Sequence, residues 1–153
     1  MKDRVIVRRA ARVLIFDASH RVLLFRGCDP ALPDDKYWYS PGGGVEDGET
    51  DRQAASRELR EETRVHVPPE GLIGPVLETD DEFGFAGRWV RQRNVFFTWR
   101  VAELRVAPDF HDLEGASVDQ HRWWSRGDLE ATVEQFYPQA LPRLFPEAPC
   151  RAL

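Results

Sequence analysis

The sequence predicts an α/β (α+β) domain, a mixed β-sheet with helices packed on it, and three observations carry that expectation. Alternating or near-continuous apolar runs at residues 5–16 and 88–102 read as strands. One strongly capped helix begins beside Thr50, in mid-chain between those runs. Strands outnumber helices, yet a helix interrupts their order, which fits a sheet covered by helices. The 153 residues suit a single domain over 1–153, with a poorly ordered tail expected from about 146.

Each element follows from local composition. Val5 to Phe16 is rich in β-branched and apolar residues, Ala18-Ser19-His20 supplies a turn, and Val22 to Phe25 returns as a strand. Gly27 to Lys36 holds two Pro and several Asp and reads as loop. Tyr37-Trp38-Tyr39 is a short aromatic strand, and Pro41-Gly42-Gly43-Gly44 reads as a breaker after it. Thr50 is the expected N-cap, Gln53 completes a capping box, and Asp51 favours the first turn through the helix dipole. That helix should run to about Thr63, and Pro68-Pro69 forbids extension. Leu72 to Thr79 and Arg88 to Ala102 are the next strands, with a turn between Gly84 and Gly87. Asp109 to Asp119 is an acidic loop and His121 to Trp124 a strand. Ser125 caps a helix expected through Gln135, and Pro138 opens a last short helix ending near Pro146.

The formal charge of −5, with both signs mixed along the chain, argues against general nucleic-acid binding and against anionic membranes. It leaves polyanionic small molecules open, because a bound divalent cation reverses the local field. Cys28 and Cys150 read as reduced thiols rather than a disulfide framework. The N-terminus leads into an alternating strand, not a signal-peptide core, and no apolar run approaches membrane-spanning length, so a cytoplasmic protein is expected.

The helix after Thr50 carries Arg57-Glu58-Leu59-Arg60-Glu61-Glu62. Glu58 and Glu62 lie one turn apart on one face, with Glu61 beside them. Like charges at i and i+4 repel by a few tenths of a kcal/mol. Hard cations such as magnesium need oxygen ligands, which this cluster supplies. By itself the helix also reads as a solvated charged face, with Arg57 and Glu61 as a favourable i, i+4 pair. The preceding Gly-rich turn shifts the balance. Without side chains its backbone can approach a ligand closely and offer carbonyls to a metal, and Glu49 adds a further carboxylate.

This segment resembles the Nudix (MutT-like) box: Gly, five residues, Glu, seven residues, Arg-Glu, an aliphatic, any residue, Glu-Glu, any residue, Gly, an aliphatic. Gly43, Glu49, Arg57, Glu58, Leu59, Glu61, Glu62 and Val65 match in register. Six identities arise by chance on the order of 10⁻⁷ per start position. Arg64 stands where the pattern has its final Gly. A non-Gly residue in the left-handed conformation after a helix costs about 1 kcal/mol, so the helix end is expected to shift or to be strained there.

The resemblance implies a Nudix-type α/β/α sandwich and hydrolysis of a diphosphate linkage in a nucleoside diphosphate derivative or nucleoside triphosphate. It implies a magnesium cofactor, with manganese as a substitute. By position, Glu58, Glu61 and Glu62 match the family's metal carboxylates and the Gly43 carbonyl its backbone ligand, while Arg57 and Glu49 orient them by ion pairing. Glu61 or Glu62 is the expected proton acceptor. Some members use a loop carboxylate instead, and Glu114 is that candidate here, ahead of Asp112 and Asp119. Arg26, Arg93 and Phe83 are candidates for substrate contact, Arg26 and Arg93 for phosphate and Phe83 for base stacking, with Arg91, Tyr37, Tyr39 and Phe85 as further choices. Trp38, Trp99, Trp123 and Trp124 read as packing residues.

Gly74-Pro75 does not match the proline of ADP-ribose enzymes, and no tyrosine stands where dinucleoside polyphosphate enzymes often place one. Many family members dimerise, which leaves a homodimer open. The competing readings are a Nudix-like module that binds nucleotide without cutting it, and a plain interaction domain with an acidic helix. An intact carboxylate set argues against the former. The latter predicts no specific divalent-metal binding.

Overall fold

A computed structural model describes residues 5–101 and 118–146. Its strands are β1 (Val5–Phe16), β2 (Arg21–Gly27), β3 (Tyr37–Tyr39), β4 (Gly42–Gly44), β5 (Ile73–Phe85), β6 (Arg88–Arg100), β7 (Gln120–Ser125) and β8 (Gln135–Tyr137). Two α-helices, α1 (Asp51–Thr63) and α2 (Arg126–Ala131), join them, with 3-10 turns at Pro69–Gly71 and Leu141–Leu144. The sheet order is β5-β6-β1-β2-β3-β8, with β4 also paired to β1 and β7 to β2. β1 and β6 run parallel along their length, whereas β5–β6, β2–β7 and β1–β4 are antiparallel, so the sheet is mixed.

The period of two along the strands builds a core on each face. Ala11, Val13 and Ile15 of β1 join Leu23, Phe25, Val95 and Phe97 beneath Ala54, Ala55 and Leu59 of α1. The intervening Leu14 and Phe16 join Val22, Leu24, Phe96, Trp38 and Trp124 against Leu129 of α2 and Leu141. A helix therefore covers each face, as expected for an α/β/α sandwich. Trp38 and Trp124 meet edge to face at 5.0 Å, and Trp99 and Trp123 pack against the α1-side core, as read from the sequence. Cys28 is a free, buried thiol, and Cys150 lies outside the described residues, as does the chain from 147 on.

Three local expectations need correction. The Pro-Gly-Gly-Gly breaker is partly a strand: Gly44, Gly43 and Gly42 pair with Ala10, Ala11 and Arg12. β1 has only one pairing with β2, at Phe16–Val22, which leaves its earlier edge open to β4. The first strand of the long hairpin runs to Phe85, not Thr79, because Ala86 and Gly87, at φ 51 and 78, close it tightly onto β6. The helix capped by Ser125 stops at Ala131, since Thr132 is extended and residues 135–137 pair in parallel with β3 instead. Strand pairing thus overrides the helical reading of 132–135.

At α1 the expected boundaries hold. Thr50 caps the Gln53 N–H, Gln53 returns the bond, and the helix ends at Thr63. Arg64 takes the left-handed conformation at φ 64, and its N–H donates to the Arg60 carbonyl. The cap is therefore strained rather than shifted.

Candidate functional site

Helix geometry explains why a carboxylate is buried. Ala54, Ala55 and Leu59 form the inward stripe of α1, and the next inward positions are Glu62 and Thr63. Glu62 is only 4 % exposed. One Oε accepts the Gly42 N–H at 2.7 Å. Burial, with the nearby Glu58 charge, pushes its carboxyl up to about 8. Burial also raises the Glu58 carboxyl, against the opposing pull of Arg57. Glu61 is more exposed, at the lip of the same face.

Arg57 organises the surround. Its Nε and Nη2 donate to the two Glu49 oxygens at 2.8 and 2.9 Å, a bidentate clamp that lowers the Glu49 pKa. Nη1 donates to Glu58 at 2.9 Å and to Glu61 at 3.4 Å, and Nη2 also donates to the Gly44 carbonyl at 2.9 Å. One guanidinium thus ties the β4 backbone, the turn before α1 and the carboxylate face together.

The Gly residues are needed sterically. A Cβ on Gly43 would stand 2.5 Å from the Glu58 carboxyl carbon. One on Gly42, at φ 153, would stand 2.5 Å from the Ala11 carbonyl oxygen and 2.7 Å from the Arg12 Cα. β4 is therefore packed directly between β1 and the carboxylates.

The residues present fit a hard cation. Two carboxylates are desolvated on one face, their charges repel, and a bare backbone strand lies against them. Among the described residues, no three Asp, Glu, His or Cys side chains already converge as a metal cluster. Arg57 holds Glu58 through Oε1 and the Gly42 N–H holds Glu62 through Oε1, so the second oxygen of each carboxylate lies outside these bonds.

These carboxylates open into a cleft of about 1660 Å³. Tyr37, Tyr39, Phe83 and Phe85 line it, as do Gln92 and Asn94. Trp38, between the two tyrosines, points into the opposite core. Arg26 and Arg93 do not line the cleft. Arg26 forms a bidentate pair with Asp119 at 2.9 and 3.0 Å, and Arg93 pairs with Glu78 at 2.7 Å. Arg91 pairs with Glu82 at 3.1 Å. Glu114 and Asp112 lie outside the described residues.

Motif spacing does not reach Arg12. Its guanidinium donates to Asn94 Oδ1 and to the Ser40 carbonyl, both at 3.1 Å, and it faces Glu62 across the cleft floor. The available signal was pattern-breaking. Arg12 stands in phase with Leu14 and Phe16, and Gln92 and Asn94 stand in phase with Val90 and Phe96, so polar groups occupy inward-facing positions.

Fold, box and cleft together define a Nudix hydrolase: the NUDIX domain model matches residues 7–144, and the chain belongs to that family. It is 45 % identical over 134 residues to an RNA pyrophosphohydrolase of Dinoroseobacter shibae, covering 72 % of this chain and 79 % of that one. It is 39 % identical over 74 residues to the dihydroneopterin triphosphate diphosphatase of Escherichia coli, covering 47 % of each. The MutT protein of Methanosarcina mazei shares the fold at a TM-score of 0.64 and 18 % identity, over 92 % of this chain and 91 % of that one. Family membership supports hydrolysis of a diphosphate linkage. No helix among the described residues is long and apolar enough to cross a membrane.

Proposed function

We propose that this chain hydrolyses a diphosphate linkage in a nucleoside triphosphate or nucleoside diphosphate derivative, with magnesium held by Glu58, Glu61, Glu62 and the Gly43 carbonyl. The observation that carries it is the buried Glu62 carboxylate, one turn from Glu58, at the floor of an aromatic-lined cleft. Manganese, with similar preference for oxygen ligands, is the expected substitute ion. When bound, the metal supplies charge neutralisation for the diphosphate and Lewis acidity at phosphorus.

The chain's own residues do the remainder. Arg57, braced by Glu49, keeps Glu58 and Glu61 turned toward the cleft. Glu62, buried at the cleft floor, takes the proton of the attacking water. Glu114 is the alternative acceptor. Phe83 and Tyr39 offer aromatic surface to the base. Arg26 and Arg93 have no part in this reading, being held in ion pairs away from the cleft.

A 5′-triphosphorylated RNA end is a second substrate reading, favoured by the likeness to the Dinoroseobacter shibae enzyme. Contact at a terminus needs no extended basic surface, so it agrees with the acidic composition. The test is magnesium-dependent turnover across nucleoside triphosphates, nucleotide sugars, ADP-ribose, dinucleoside polyphosphates, dihydroneopterin triphosphate and triphosphorylated RNA. Glu62→Gln and Glu114→Gln are run beside the wild type. Turnover lost in Glu62→Gln supports the assignment. Nucleotide that binds yet stays intact with every compound overturns it in favour of a binding module.

A further inference from the structure

We propose that Asp81 and Gln92 on the cleft wall read a ring presenting two adjacent N–H donors, the 2-amino-4-oxopyrimidine edge shared by guanine and pterins. The proposal rests on the hydrolase reading for placing such a ring in this cleft.

Asp81 is the cross-strand partner of Gln92, and Thr79 that of Asn94, so the four residues form two successive rungs on one face of the β5–β6 hairpin, with the Asp80–Arg93 rung between them on the other face. All four line the cleft, with Phe83 on the next rung of the same face. Gln92 and Asn94 are 6 % and 7 % exposed.

The direction of each hydrogen bond is forced. The Arg12 guanidinium can only donate, so the Asn94 atom it meets at 3.1 Å is the carbonyl oxygen. The Asn94 amide nitrogen then faces Asp81 Oδ2 at 2.9 Å, and an ionised carboxylate can only accept. Gln92 must turn its own amide nitrogen to Asn94 Oδ1, at 2.7 Å. Thr79 Oγ1 donates to Asp81 Oδ2 at 2.7 Å, leaving Oδ1 free of it.

Two acceptors remain. Among the described residues, Gln92 Oε1 and Asp81 Oδ1 have no protein donor. Both residues line the cleft, so a ligand that donates to these oxygens takes the place of water there. Two neighbouring acceptors, one of them a carboxylate, complement two neighbouring donors. Guanine and pterin rings offer a ring N–H beside an exocyclic amine. Adenine offers its amine beside a ring acceptor, which these oxygens repel, and hypoxanthine lacks the amine. Phe83 supplies a face for stacking next to that edge.

The test measures binding of the full chain, without cleavage, to guanosine, inosine and adenosine 5′-monophosphates and to neopterin by calorimetry. Guanosine monophosphate or neopterin should bind at least about tenfold tighter than the adenosine and inosine compounds. Comparing those two assigns the ring source. Asp81→Asn should erase the discrimination, weakening guanosine monophosphate and neopterin and not weakening adenosine monophosphate. Asp80→Asn, on the opposite face, should preserve it. If Asp81→Asn fails to fold by circular dichroism, Asp81→Ser, which removes the carboxylate and keeps a small polar side chain, carries the same expectation. Equal affinity for guanosine and adenosine compounds, no binding of any ring, or discrimination intact in the Asp81 variant overturns the proposal. Selective binding without turnover of any triphosphate supports it and overturns the hydrolase reading alone.

Discussion

Glu62 is where sequence, burial and chemistry meet in one residue. Its carboxyl has a folded pKa of about 8 against an ordinary value of 4.5. The folded state therefore binds more protons than the unfolded chain between these values. The associated stability is fully present below about 4.5 and lost as pH rises through about 8. Glu62→Gln keeps an acceptor for the Gly42 N–H but carries no charge. The metal-free variant should be more stable than the metal-free wild type at about pH 9, by about 2–4 kcal/mol. The two should converge at about pH 5. Calorimetric melts across pH in the presence of chelator check this, and a gap independent of pH would contradict it. Arg57→Lys replaces a planar fork by a point charge. It should lower kcat/KM by about tenfold to a hundredfold with a weaker apparent metal affinity, read from magnesium titrations of activity.

The ends of α1 are set by different means. Its start is a complete capping box, and Thr50→Ala should cost about 1 kcal/mol in a urea titration. Its end is a left-handed arginine. Arg64→Gly should recover about 1 kcal/mol, raising Tm by roughly 2–4 °C for a chain of this size. An unchanged or lower Tm would mean that the arginine side chain makes contacts outweighing its backbone strain. The β4 strand depends on having no side chains. Gly42→Ala meets β1 backbone, which has nowhere to retreat, and should lower stability by about 1–3 kcal/mol.

Across the whole molecule, the central strands serve two cores at once. Leu59 packs in the α1-side core and Leu129 in the other, with the sheet between them. Leu59→Ala and Leu129→Ala should each cost about 2–5 kcal/mol. Because the two sites share no side-chain partners, their double variant should sum to within about 0.5 kcal/mol in denaturant titrations. A large departure would show that the sheet transmits repacking from one face to the other. The cleft lies where the layers part, bounded by β4, the carboxylate end of α1 and the β5–β6 hairpin.

Sequence alone determined the fold class, the central helix with its capped start, the alternating strands and the register of the box, because these depend on local spacing and capping, while the structure decided that the helix end at Arg64 is strained rather than shifted. The candidate residues Glu58, Glu61, Glu62, Arg57, Glu49 and Gly43 could be picked out for that reason: all lie within one short segment. Tertiary structure decided what depends on partners distant in the chain. It turned the glycine breaker into a strand on β1 and stopped the Ser125-capped helix so that residues 135–137 could pair with β3. It took Arg26 and Arg93 out of the cleft by giving them Asp119 and Glu78. It also brought Arg12 to Asn94, 82 positions apart, through the parallel pairing of β1 and β6, a contact that no local pattern encodes.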